Sequence, residues 1–284
     1  MLRKILVPVR GDGMMRTVLG HAAALARRHA AHVVVAHCRA QPEDLMPYNV
    51  ALPAFARDTL MQQAHEAAEE QERELRADLH TIADELGLAE TGAPRGDAAT
   101  IEFREETGKM ADVIKHLGRL ADLVVVARPD RDRNLGTNSL KAGLFQTGRP
   151  VLMCPRDREA PPAFGSRLAI GWNGSLEAAR AIALTGDLVR AAEEVTILSG
   201  GKGEPHGATA EELVDYLALR GIAARAVRFD ARNPGAALLE QAQAAGADML
   251  VMGAYGHSHE RETLFGGNTQ TVVDTAEIPV TLVH

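Results

Sequence analysis

The sequence predicts an α/β fold in two tandem units. Three observations carry this: short β-branched runs alternate with amphipathic helical segments, the second half repeats the first, and a Pro-rich stretch divides them. Alternation of this kind implies βαβ units and therefore a parallel sheet in each unit.

In the first half the strand-like runs are Lys4–Val9, His32–His37, Ile101–Arg104, Leu123–Ala127 and Val151–Cys154. An Ala-rich helical stretch, Thr17–His29, follows the first run. After the second comes an irregular excursion with three prolines, RAQPEDLMPYNVALPAF, then a long helix from about Arg57 to Leu86. The second half supplies Arg167–Trp172, Glu194–Leu198, Ala224–Phe229, Met249–Met252 and Val280–Val283.

The halves match element by element. RKILVPVRGDG parallels SRLAIGWNGS, GRLADLVVVA parallels AAGADMLVMG, and TGRPVLMCP parallels AEIPVTLVH, each of the last pair a Pro-led final strand. Duplication of one domain-sized unit accounts for these matches; a single large sheet with generic α/β grammar is the alternative. PRDREAPPAFGS, poor in core residues, reads as the linker, so the units span 1–155 and 166–284 with the link at 156–165.

Composition narrows the function classes. Hydrophobic residues at 46% allow a sizeable core, and a net charge of −7 without basic clusters argues against nucleic acid or anionic membranes as partners. Two cysteines, Cys38 and Cys154, make no disulfide framework or CxxC motif. The N-terminus opens straight into a strand, so neither a signal peptide nor a membrane span is expected, and a cytoplasmic location is.

The richest stretch is MLVMGAYGHSHERETLFGGNTQTVV. A buried strand ends at Met252. Gly253 and Gly256 follow, then Gly266 and Gly267, then a helix that Asn268 or Thr269 can cap. Glycines after a parallel strand let a ligand approach the backbone, and free N–H groups at the next helix start face phosphate oxygens. The spacing is neither G-x-G-x-x-G nor a Walker P-loop.

G-x2-G-x9-G, late in a unit that ends with a Pro-led strand, resembles the ATP-binding motif of the universal stress protein family. KILVPV and GWNGSLEAARA resemble the first strand and following loop of that family. The likeness covers both halves of the chain. It implies two flavodoxin-like (adenine nucleotide alpha hydrolase-like) domains, each a five-stranded parallel sheet in the order 3-2-1-4-5 with helices on both faces. Pairing of the two units through their last strands within one chain is also implied, which covers an exposed edge; further association into a homodimer stays open.

Carried over residue by residue, the resemblance places ribose and adenine near Gly171, Trp172 and Asn173, where family members often have Asp. Gly253, Gly256, Gly266, Gly267 and Asn268 would hold the phosphates. Gly267 stands where the family usually has Ser or Thr, leaving Thr269 as the nearby hydroxyl. Met252 and His257 complete the candidate nucleotide-binding set. The ligand is ATP or another adenine nucleotide, with or without Mg²⁺. Trp172 either stacks near adenine or covers the sheet edge.

The first half departs further. Arg128, Pro129 and Asp130 stand where glycines are needed, Pro129 offers no N–H, and Arg10 takes the ribose position. This half is expected to have lost the nucleotide, unless Arg10, Arg128, Arg131 or Arg133 recognises some other anion. His257 and His259 fall short of a metal ligand set, and no nucleophile elbow or catalytic residue is apparent. The expectation is a regulatory, stress-responsive nucleotide binder. The alternatives are slow ATP hydrolysis or phosphoryl transfer, and an interaction module with a vestigial pocket that binds partners through the first-half excursion.

Overall fold

The computed structural model describes residues 1–10, 12–39, 54–94, 96–200, 207–255 and 267–284, with the backbone alone described for 54–58. Most of the first-half excursion, together with Gly256, His257, His259 and Gly266, lies outside the described residues.

Unit one runs β1 (Lys4–Val9), α1 (Met15–His29), β2 (His32–Arg39), α2 (Ala54–Glu85), β3 (Ala89–Glu90), β4 (Thr100–Thr107), α3 (Met110–Gly118), β5 (Leu123–Ala127), α4 (Thr137–Gln146) and β6 (Val151–Cys154). Unit two runs β7 (Arg167–Gly171), α5 (Leu176–Leu184), α6 (Gly186–Ala191), β8 (Glu194–Gly200), α7 (Ala210–Ala218), β9 (Ala224–Phe229), α8 (Pro234–Ala244), β10 (Met249–Gly253), α9 (Gly267–Thr275) and β11 (Val280–Val283). Every anticipated strand is present. Apolar runs mark the inner ones, because strands buried on both faces of a parallel sheet have no polar side to alternate with, whereas β4 and β9 near the edges carry charged residues.

All strands join one sheet in the order β3-β4-β2-β1-β5-β6-β11-β10-β7-β8-β9. The five longer strands of each unit are parallel and follow the expected 3-2-1-4-5 order. The units meet where β6 and β11 pair antiparallel, with Val280 opposite Met153 and Leu282 opposite Val151. The sheet is therefore continuous, yet made of two duplicated halves. β3 is an unanticipated addition: two exposed residues, Ala89 and Glu90, pair along the outer edge of β4.

Strand residues alternate between two cores. Ile5, Val7, Val35, Ile170 and Val251 face α1, α2, α5, α6 and α7, whereas Leu6, Val34, Val124, Leu250 and Leu282 face α3, α4, α8 and α9. Each core draws on both units, so the seam is buried on both sides. Because α1 and α5 share a face while β6 and β11 run antiparallel, a pseudo-twofold axis stands normal to the sheet between those two strands.

The repeated Ala-Asp before β5 and β10 has a structural cause. Asp122 Oδ2 accepts from the N–H groups of Arg3 at 2.8 Å and Lys4 at 2.9 Å. Asp248 accepts from Gly165 at 2.9 Å, Ser166 at 3.1 Å and Arg167 at 3.0 Å. Each carboxylate thus anchors the entry of the central strand of its unit.

The linker is packed along α1. Phe164 is buried edge-to-face against His21, with centroids 5.0 Å apart, and Arg28 donates to Ser166 Oγ at 2.8 Å and to the Ala191 carbonyl. Among the described residues no helix is long and apolar enough to cross a membrane.

Candidate functional site

Ligands in open α/β sheets collect at the carboxyl edge, where connections leave neighbouring strands in opposite directions. In unit two that point lies between β7 and β10. The chain leaves β7 through α5 on one face and reaches β10 from α8 on the other.

Gly171 ends β7 directly opposite Met252. Both positions are filled by packing: a Cβ on Gly171 would lie 3.0 Å from Leu238, and the Met252 side chain is buried in the core. Trp172 is buried, and its indole N–H donates to the Ala208 carbonyl at 2.8 Å. The indole therefore ties the end of β7 to the segment before α7.

Asn173 is exposed and shapes the turn into α5. Its Oδ1 accepts from the Ser175 N–H at 3.1 Å, Gly174 follows at φ +73°, and Ser175 caps α5 by accepting from Ala178 N–H at 3.2 Å. Among the described residues the Asn173 amide nitrogen has no partner.

Gly253 is where the structure departs most from the glycine reading. A Cβ there would sit 2.5 Å from Ala178 N and 2.6 Å from the Glu177 carbonyl carbon. The missing side chain makes room for the first turn of α5, so Gly253 acts on the site by seating that helix. Gly235 does the same between α8 and α9, with Asn268 O 2.6 Å from its would-be Cβ.

α9 starts beside the end of β10. The buried Thr269 hydroxyl accepts from the Tyr255 N–H at 3.3 Å, so it joins helix to strand end instead of facing outward. Gly267 and Asn268 remain exposed, and a Cβ on Gly267 would meet no described atom within 4 Å. Two helix N-termini, those of α5 and α9, thus converge on Gly253–Tyr255. Their N–H groups and dipoles favour an anion there. Tyr255 itself, at φ +60°, turns its ring to the other unit, 5.5 Å from that of Phe145. Burial pushes its hydroxyl pKa up to about 12, so it stays protonated at neutral pH.

The corresponding edge of unit one differs. Register makes Ala127, rather than Arg128, the counterpart of Gly253, because Ala127 pairs with Cys154 as Gly253 pairs with Val283. Arg10 holds the position of Asn173, as expected. The loop after β5 folds on itself: Asp130 and Leu135 exchange backbone hydrogen bonds at 2.9 Å, and Asp130 Oδ1 accepts from Arg133 N–H at 3.0 Å. Arg128 and Arg131 both reach across to unit two.

The universal stress protein family model matches residues 1–136 and 168–284. No curated protein matches the chain. Among solved structures, a universal stress protein from Archaeoglobus fulgidus DSM 4304 aligns at 14% identity and TM-score 0.73, covering 100% of this chain and 96% of its own. A universal stress protein assigned as putative from Pseudomonas aeruginosa UCBPP-PA14 aligns at 18% identity and TM-score 0.58, covering 99% and 93%. A protein of unknown function from Pseudomonas aeruginosa PAO1 aligns at 16% and 0.55, covering 99% and 92%. Likenesses at these identities bear on the fold. The family match, which takes in most of both units, decides membership: the chain belongs to the universal stress protein family.

Proposed function

We propose that this universal stress protein binds ATP or a related adenine nucleotide at the carboxyl edge of unit two and acts in the stress response of the cytoplasm as a regulator rather than a catalyst. The observation that carries the reading is the convergence of the α5 and α9 N-termini on the end of β10, at the switch point of the sheet. Phosphate oxygens fit there against N–H groups of Gly267 and Asn268, in the manner of other helix-start phosphate sites. The Asn173 amide nitrogen would donate to a ribose hydroxyl. Gly256, Gly266 and His257 belong to the same proposal from sequence alone. Mg²⁺ would enter with the phosphates, which commonly share its coordination shell with one or two carboxylates.

Titration calorimetry with ATP, ADP and AMP tests the reading, with Gly267→Ser beside the wild type. A Cβ at 267 meets no described atom within 4 Å, and a serine there restores a hydroxyl at the expected phosphate position. One added hydrogen bond to a charged group corresponds to roughly tenfold tighter binding. Heat from wild type that increases in affinity with Gly267→Ser supports the cradle. No heat from either protein refutes it. Phosphate release on incubation with Mg²⁺-ATP would favour slow hydrolysis instead.

A further inference from the structure

The end of β5 is the pseudo-symmetric counterpart of the candidate site, and two arginines of the loop that follows it reach the other unit. Arg128 Nη1 donates to the carbonyls of Asp274 and Ala276, both at 3.1 Å. Arg131 pairs with the Asp274 carboxylate at 2.9 Å. These acceptors form the C-terminal end of α9, where carbonyls lack helical donors and a cation offsets the negative end of the dipole. The same helix begins at Gly267, inside the candidate anion site. A helix of nine residues is about 14 Å long and moves as one body. One end of it is held by unit one, and the other lies at the candidate anion site of unit two.

The contact is reciprocal. Tyr255, two residues past β10, rests on Phe145 at the end of α4, and Phe145 also packs edge-on against His284, with centroids 4.8 Å apart. Between α4 and α9 remains a cavity of about 40 Å³, enough for a water molecule, beside Gln270, whose Oε1 is buried without a partner among the described residues. On its α8 side α9 is closely packed, at Gly235, whereas towards unit one polar contacts at the helix end stand beside this small cavity.

We propose that unit one is the positioning element for the nucleotide site of unit two, with Arg128 as the residue that fixes α9. Loss of nucleotide recognition in unit one and gain of this grip are then one change: the loop that would have held phosphate holds a helix end. The proposal rests on the nucleotide reading above and deepens it, since it makes affinity in one unit depend on a side chain of the other.

The test uses the full chain with Arg128→Met, which keeps a long apolar stem without donors, and Arg128→Lys, which keeps the charge. Two readouts are needed: native-state hydrogen exchange of the α9 amides without ligand, and ATP affinity by calorimetry. Losing a charge-assisted contact to the helix end predicts exchange in α9 about tenfold faster in Arg128→Met and an ATP Kd about tenfold higher. Arg128→Lys should recover most of both, and exchange in β9, at the far edge of the sheet, should not change. Unaltered α9 exchange in Arg128→Met overturns the proposal, as does faster exchange with unaltered ATP affinity. A wild type that takes up no ATP refutes the nucleotide reading instead, and the exchange measurement then decides alone whether Arg128 fixes α9. Should Arg128→Met fail to fold, Arg128→Gln carries the same two readouts.

Discussion

Replacing Gly253 by alanine adds a single methyl group, and the geometry says where it goes. The new Cβ would lie 2.5 Å from Ala178 N, 2.6 Å from the Glu177 carbonyl carbon and 2.8 Å from Glu177 Cβ. Comfortable separations are about 3.5–4.0 Å, so the first turn of α5 must retreat by about 1 Å. Two of the three atoms are backbone, and that turn is fixed by the Ser175 cap and the Asn173 hydrogen bond. Neither neighbour can simply change rotamer. Overpacking of this kind costs about 1–3 kcal/mol, and rigid neighbours place this case near 3. With an unfolding entropy of about 2.1 cal/mol/K per residue, that is a fall in Tm of roughly 5 °C for a chain of 284 residues. Thermal and urea denaturation of Gly253→Ala without ligand measure it. Ala127 is the natural control, since unit one tolerates a methyl group at the same register; Ala127→Gly should cost no more than about 1 kcal/mol. A Gly253→Ala protein that melts within a degree of wild type would show that α5 does not press on β10. The glycine would then belong to the ligand alone.

Two further outcomes follow from the interior. Asp248→Ala leaves three backbone donors without their acceptor and Asp122→Ala leaves two, so the first should lose roughly 3–5 kcal/mol in urea denaturation and the second clearly less; an inverted order would contradict the anchoring role. Burial lowers the pKa of His21 and of His37, so folding favours their neutral forms. Their stabilising contribution is complete above the unfolded value, about 6.5, and is lost as pH falls through the window below it. The urea midpoint should therefore hold between pH 8 and 7 and decline below about 6.5, and His21→Phe should flatten that decline.

Much of this fold was legible because its determinants are local. Runs such as Leu123–Ala127 and Val151–Cys154 are apolar on both faces, which a covered sheet explains, and the prolines before the last strands punctuate both units alike. β3 was not legible, since two exposed residues carry no alternation. The site was legible only as a place. A glycine in sequence announces that something approaches its Cα but not whether that is a ligand or, as at Gly253, the backbone of a neighbouring helix. Thr269 looked like an outward hydroxyl and proves to face Tyr255. Arg128 looked like damage to a phosphate loop, and its partners, Asp274 and Ala276, lie nearly 150 positions away, at separations of 146 and 148 residues. Phe164 sits in a segment whose composition suggested a bare tether, yet it is buried against α1.

The antiparallel join of β6 to β11 has a consequence for how the protein can vary. Were the two units separate copies of one chain, every substitution would appear on both sides of the axis, and a residue useful on one side would be imposed on the other. A single chain carrying both halves lifts that restriction. Position 128 holds an arginine that grips the end of α9, while its counterpart by register, position 254, holds a buried alanine. A site and its support can then be written into different halves of one gene product, an arrangement that no symmetric pair of identical chains can encode.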